Sequence, residues 1–279
     1  MVYRGTRRIA MPAAELVIEA RWVLPVAPVN AVLADHAVVV GGGRILDLLP
    51  RLSALARYPG VPRRVLPGHA LLPGLVNAHT HAAMALLRGY ADDLPLEPWL
   101  RDRVWPAEQR WLSPDFVRTG ASLAAAEMIR GGTTCFADMY FFPDATAAAA
   151  AESGLRAVVG MVVVDFASAW AETPAEYLRK GLDVRDSYRG HRRIRFAFAP
   201  HAPYTVSDET LGHVRVLADE LEVPVLMHVN ETAAEVAESL RVHRRRPLRR
   251  LDDLGLLGPL HAGVHLTQLD GHEIELLAR

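Results

Sequence analysis

The hydrophobic positions of this chain fall into two textures. Between residues 15 and 70 they come as short runs: Leu16-Val17-Ile18, Ala37-Val38-Val39-Val40, and Ile45-Leu46 behind Arg44. Gly41-Gly42-Gly43 separates the second run from the third and reads as a hairpin turn. Pro25, Pro28, Pro50, Pro59, Pro62 and Pro67 punctuate the rest. This pattern predicts a small β module over residues 13–70, with too few strands to close its own sheets.

From residue 71 strands alternate with helices. Ala70 to Asn77 reads as a buried strand running into a histidine pair. Ser113-Pro114 opens a helix, serine as N-cap and proline at its first position, and Val117, Ala121, Ala124 and Met128 then recur at helical spacing up to Gly131-Gly132. Strands follow at Thr133–Ala137, Arg156–Val164, Ile194–Ala199, Val223–Val229 and Ala262–Leu266. Helices open at Asp144 and Ser207, residues 232–254 are helical with a break near Pro247, and Glu273–Arg279 reads as the middle of a helix. Strands regularly separated by helices predict an α/β fold with a parallel sheet buried on both faces. Either an open doubly wound sheet or a barrel satisfies this, but no Gly-x-Gly-x-x-Gly follows a strand to support the dinucleotide-binding version.

Composition narrows the function classes. The formal net charge of −1 over 279 residues argues against a general nucleic-acid or anionic-membrane binder. Arg241–Arg250 holds six arginines, which beside Asp252-Asp253 read as a solvated helix end. No run approaches the roughly 20 apolar residues of a membrane span. The single cysteine, Cys135, rules out an intrachain disulfide; it reads as a small buried hydrophobe in a reducing compartment, which places the protein in the cytoplasm. Residues 1–12 are basic without a signal-type apolar run, and read as a disordered arm or an over-long start ahead of Met11.

The candidate chemistry lies where strands end. His79 and His81 stand two apart, so a strand presents both on one side. They could share one zinc-like ion, and alone they are a weak signal beside the bland reading of two loop residues. His228 closes the apolar run Pro224-Val225-Leu226-Met227, where an unpaired imidazole would be costly. Glu231 lies three residues on, suited to moving a proton or, equally, to favouring a helix N-terminus. His201 ends the fourth of these strands and His265 the sixth. Four strands ending in histidine, out of 12 histidines in all, favour convergence on one site over scatter. Trp170 reads as exposed, either a lid residue or ordinary packing.

At these residues a family resemblance becomes specific. Leu72-Pro73-Gly74-Leu75-Val76-Asn77-Ala78-His79-Thr80-His81 resembles the first metal motif of the amidohydrolase superfamily. Leu87-Arg88-Gly89, Trp105-Pro106-Ala107-Glu108, Pro200-His201-Ala202-Pro203-Tyr204, His228-Val229-Asn230-Glu231-Thr232 and Val264-His265-Leu266-Thr267-Gln268 are similar, in order, to the branch of methylthioadenosine/S-adenosylhomocysteine deaminases and triazine chlorohydrolase-type enzymes. The resemblance implies an incomplete (β/α)8 TIM-type barrel over residues 71–279, of about six strand–helix units, beside a partial β-sandwich over residues 13–70. It implies that His79, His81 and His228 bind one divalent metal ion, zinc first, with Fe2+ or Mn2+ as alternatives. Glu231 and His265 would be catalytic, Glu108 would bind ribose hydroxyls, and His201 would lie against the purine. The fourth strand carries Phe196-Ala197-Phe198-Ala199 and no lysine to bridge a second metal.

The implied reaction is hydrolytic deamination of an adenine nucleoside, 5′-methylthioadenosine or S-adenosylhomocysteine, to its inosine analogue. Val162–Trp170 supplies no clear arginine for a homocysteine carboxylate, which tilts the expectation toward methylthioadenosine. The implied partner is that small nucleoside, with no nucleic acid or membrane and with homo-oligomerisation left open. Because the family's eighth-strand aspartate has no counterpart here, the chain by itself is expected to be unstable or inactive. The alternatives are another amidohydrolase, acting on guanine, cytosine or a chlorinated triazine, and a non-catalytic metal-binding fragment.

Overall fold

The computed structural model describes residues 12–279, so the arm expected over residues 1–12 lies, Pro12 apart, outside the described residues. Two compact units meet in sequence between Gly74 and Leu75.

The first unit is one four-stranded sheet. Strands β1 (Leu16–Val23), β2 (Leu33–Gly41), β3 (Arg44–Pro50) and β4 (Arg63–Leu71) lie in the order β3-β2-β1-β4. β1 pairs antiparallel with β2 and parallel with β4, and β2 pairs antiparallel with β3. The predicted hairpin turn is present, and Gly42 (φ 57°) and Gly43 (φ 71°) supply the left-handed backbone that a two-residue turn demands. Val17, Ala37 and Val39 share one face and cover Ala54 of helix α1 (Arg51–Arg57). The strand-only expectation for this region misses α1. A seven-residue helix that buries only Ala54 leaves no apolar stripe to read.

The second unit carries six parallel strands: β5 (Leu75–Thr80), β6 (Thr133–Tyr140), β7 (Arg156–Val163), β8 (Ile194–Pro200), β9 (Val225–Val229) and β10 (His261–His265). Their spatial order is their chain order. Every crossover therefore steps the same way, with no reversal of the kind a doubly wound sheet requires. The unit is a partial (β/α) barrel. Between β5 and β6 come a 3-10 turn (Ala82–Leu87), α2 (Leu96–Trp99), a π-turn (Leu100–Val104), α3 (Trp105–Trp111) and α4 (Pro114–Arg130). The later crossovers use α5 (Pro143–Ser153), α6 (Pro174–Ser187), α7 (Asp208–Leu221), and the pair α8 (Ala233–His243) and α9 (Pro247–Asp253), and α10 (Gly271–Leu277) follows β10.

The main core lies between the strands and their helices. Val159, Met161, Phe196 and Phe198 pack there with Tyr177 of α6 and Val214 of α7. Strands covered on both faces read as near-continuous apolar runs, and β7 after Arg156 and β8 after Arg195 do. The helix starts are chemically marked: Ser113, Thr173, Ser207 and Thr232 each accept a hydrogen bond from the backbone N–H three residues on. Gly120 of α4 is required by proximity, since a Cβ there would fall 2.3 Å from the Ala83 carbonyl oxygen in the turn just past His81.

Several expectations need correction. Residues 70–77 are not one buried strand. Leu71 ends β4 in one sheet, Leu75 begins β5 in the other, and β5 is an edge strand with Leu75 59% and Val76 67% exposed. An apolar run cannot by itself distinguish an edge from a centre. Trp170 is not exposed; it packs on Phe142, with the Lys180 ammonium over its ring. Cys135 is only partly buried, because β6 adjoins that edge. The segment at Glu273 is the first turn of α10, where Asp270 and Glu273 form a capping box.

Five of the six arginines in the arginine-rich stretch are paired with acids. Arg241 pairs with Glu238, Arg245 with Asp253, Arg246 with Asp270 and Glu273, Arg249 with Asp252, and Arg250 with Asp208. Among the described residues no helix is long and apolar enough to cross a membrane.

Candidate metal centre

Six strands laid flat would hold β5 and β10 roughly 24 Å apart, at about 4.8 Å per neighbour. Yet the rings of His79 on β5 and His265 on β10 are 5.8 Å apart between centroids. The sheet curls, and side chains at the carboxyl ends of its first and last strands converge. Five imidazoles gather there, with the His201 ring 4.9 Å from that of His228. His79 and His81 lie edge-to-face at 4.8 Å, and His228 stacks on His81 at 5.2 Å and on His265 at 5.3 Å.

The hydrogen bonds of two rings fix where their lone pairs point. His81 Nδ1 donates to the Met139 carbonyl at 2.6 Å, and His228 Nδ1 donates to the His201 carbonyl at 2.8 Å. A carbonyl only accepts, so each ring carries its proton on Nδ1. The Nε2 atoms of His81 and His228 nevertheless face each other at 3.2 Å, and His79 Nε2 lies 3.1 Å from His228 Nε2. Between His81 and His228 this is lone pair against lone pair, with no proton to bridge them. Protonation is opposed as well. Burial, helped by the neighbouring imidazoles, pushes His228 down to about 2 and His79 to about 4, and burial also lowers His81.

A cation between the nitrogens relieves that opposition. Two ligands of one tetrahedral zinc at about 2.0–2.1 Å stand roughly 3.3–3.4 Å apart, close to the separations here. His79, His81 and His228 therefore fit a single ion. His79, His228 and His265 also offer ligand atoms within 4.8 Å of one another. His81, its ring locked by Met139, and His265, whose Nε2 lies 3.4 Å from Glu231 Oε1, are both placed to complete such a site.

The other expected residues line the same cavity, of about 250 Å³, with Trp105, Phe166 and Tyr204 among its walls. Glu108 accepts a hydrogen bond from the Tyr140 hydroxyl at 2.6 Å; burial raises its pKa above the usual carboxylate range, and that bond offsets part of the rise. His201, pushed down to about 3 by burial, donates from Nδ1 to Thr205 Oγ1 at 3.0 Å. Glu231 faces His265, so the helix-terminus role open to it falls to Glu235, whose carboxylate accepts the backbone N–H groups of Asn230 and Glu231. All seven expected site residues thus meet in one place.

Three supporting residues escape a motif reading. Tyr140 holds Glu108. Asn230, fully buried and left-handed (φ 51°), donates to Glu273 and to the Gln268 carbonyl and accepts from Leu248 N–H, tying the Glu231 loop to the loop after His265. Asp138 is a buried carboxylate under the histidine pair. The one available signal was Asp138, a lone acid inside the apolar strand β6.

Comparison with known proteins agrees with this geometry. A family model described as the Amidohydrolase family matches residues 70–279. A 5-methylthioadenosine/S-adenosylhomocysteine deaminase of Teredinibacter turnerae is 49% identical over 94% of this chain, which spans 59% of that relative's length. The crystal structure of an adenosine deaminase from Xanthomonas campestris with bound zinc superposes with a TM-score of 0.93 at 49% identity, covering 95% of this chain and 60% of that one. A guanine deaminase from C. acetobutylicum, with guanine in its active site, shares the fold at 22% identity, with a TM-score of 0.84 over 94% of this chain and 65% of that one.

Proposed function

The chain belongs to the amidohydrolase family, and from that premise we propose that it serves metal-dependent hydrolytic deamination of adenine nucleosides of the 5′-methylthioadenosine and S-adenosylhomocysteine type. The observation that carries the reading is the opposed Nε2 atoms of His81 and His228 at 3.2 Å, each ring's other nitrogen already spent on a carbonyl. His79, His81 and His228 hold the ion, and zinc is supported by the zinc-bound X. campestris relative. Such an ion supplies acidification of water, toward a pKa of about 7.

The remaining chemistry belongs to side chains. Glu231 takes a proton from the attacking water and delivers it to the ring nitrogen beside the carbon under attack, and the second proton of that water passes to the amino group, which leaves as ammonia as the carbonyl forms. His265, 3.4 Å from Glu231, orients the attacking oxygen and stabilises the charge that develops on it. Glu108 accepts hydrogen bonds from ribose hydroxyls, in competition with Tyr140. His201 lies against the purine, with Trp105, Phe166 and Tyr204 excluding water around it. The free thiol Cys135 supports a reducing, cytoplasmic setting.

Ammonia release from 5′-methylthioadenosine, S-adenosylhomocysteine and guanine by the zinc-loaded chain tests this. Any release is expected from the adenine nucleosides alone and is abolished by Glu231→Gln. Release from guanine alone would favour the other amidohydrolase reading. Stoichiometric zinc without release from any of the three would leave a metal-binding protein and no deaminase.

A further inference from the structure

The paired histidines sit at the end of an edge strand. β5 has a neighbour on one side only, β6. Its ladder with β6 is irregular, with a register shift between Asn77 and Thr80, the stretch that contains His79. His81 lies just beyond the last ladder residue, where backbone pairing no longer holds it.

Asp138 of β6 fills that gap. It is 1% exposed and, among the described residues, faces no arginine or lysine. Oδ1 accepts the backbone N–H of Ala82 at 2.7 Å and shares the hydroxyl of Thr80, at 2.9 Å, with the Ala137 carbonyl, also at 2.9 Å. The two residues flanking His81 are thus bound to one carboxylate oxygen. The next residue on β6, Met139, takes the His81 Nδ1 proton on its carbonyl. Oδ2 accepts only a long hydrogen bond from the Thr146 hydroxyl of α5, at 3.3 Å. Burying an unpaired carboxylate is costly, and this one makes its hydrogen bonds mainly to the turn that carries a metal ligand.

We infer that Asp138 is a positioning residue of the metal centre, setting the backbone on both sides of His81 so that its Nε2 meets those of His79 and His228. The inference rests on the metal-binding reading above and on no reaction. Residues that orient metal ligands typically contribute 10–100-fold in metal affinity when removed.

The test is the zinc dissociation constant of the full chain, from competition with a chromophoric chelator, together with the visible spectrum of the cobalt(II)-loaded protein. Asp138→Ala should weaken zinc binding about 10–100-fold and distort the cobalt spectrum. Asp138→Asn keeps an acceptor oxygen for Ala82 and Thr80, and should recover most of the affinity and the parent spectrum. Thr146→Val, which touches only the far oxygen, should leave both unchanged. A folded Asp138→Ala protein with parental zinc affinity overturns the inference. So does an Asp138→Asn protein as weak as Asp138→Ala, which would make the charge decisive and the position irrelevant. If Asp138→Ala does not fold, Thr80→Val decides, since it removes one of the two donors beside His81 and unchanged zinc binding there overturns the claim. A parent chain that binds no zinc would instead strike down the metal centre itself.

Discussion

The centre and the edges of the six-stranded sheet are held by different physics. In β7 and β8 nearly every side chain is buried and apolar, and the strands are set by packing against α5, α6 and α7. β5 and β10 have partners on one side only and expose much of their surface. Yet three of the five clustered imidazoles, His79, His81 and His265, come from the edge strands or the residue just past one, and only His201 and His228 come from nearer the middle. Where packing is thin, buried hydrogen-bonding side chains take over: Asp138 under the β5 end and Asn230 beside the β10 end. The core makes the barrel, and polar struts make the site.

If that division is right, substitutions should separate stability from metal binding. Phe198→Ala, fully buried at the centre, should lose about 3–5 kcal/mol of stability in denaturant unfolding, with zinc affinity falling only as the chain unfolds. Asn230→Ala should cost about 1–3 kcal/mol, from buried partners left unsatisfied at Leu248 N–H and Glu273. Glu108→Gln should be stabilising, with a definite pH dependence. Burial raises the folded-state pKa of Glu108, so the native chain holds this proton more tightly than the unfolded one. Its ionisation therefore costs stability as pH rises above about 4.5, and the variant's advantage over the parent should grow through that window and vanish below it. Leu75→Ala, on the exposed edge, should change stability by no more than about 0.5 kcal/mol. A large loss at Leu75 or a negligible one at Phe198 would break the comparison.

Much of this was legible in the residues. Alternating strands and helices, serine and threonine caps, and the Gly42-Gly43 turn are local signals with local physics, and they placed most elements within a few residues. The histidines were legible because an imidazole at the end of an apolar strand asks for a reason. The edges were not. Leu75 and Val76 look like core residues until the strand order is known, and strand order is a long-range property. Asp138 and Asn230 were missed for the same reason. Asp138 reaches across about 60 residues to Thr80 and Ala82, and Asn230 about 40 to Gln268 and Glu273. No spacing rule links such positions.

The central claim is that imidazoles from separate strands converge on one ion, and zinc K-edge absorption of the chain loaded with one equivalent tests it most directly. The account predicts stoichiometric zinc with at least three imidazole nitrogens at about 2.0–2.1 Å, and loss of one on His228→Ala. Zinc held mainly by oxygen, or a ligand shell indifferent to His228, would contradict it.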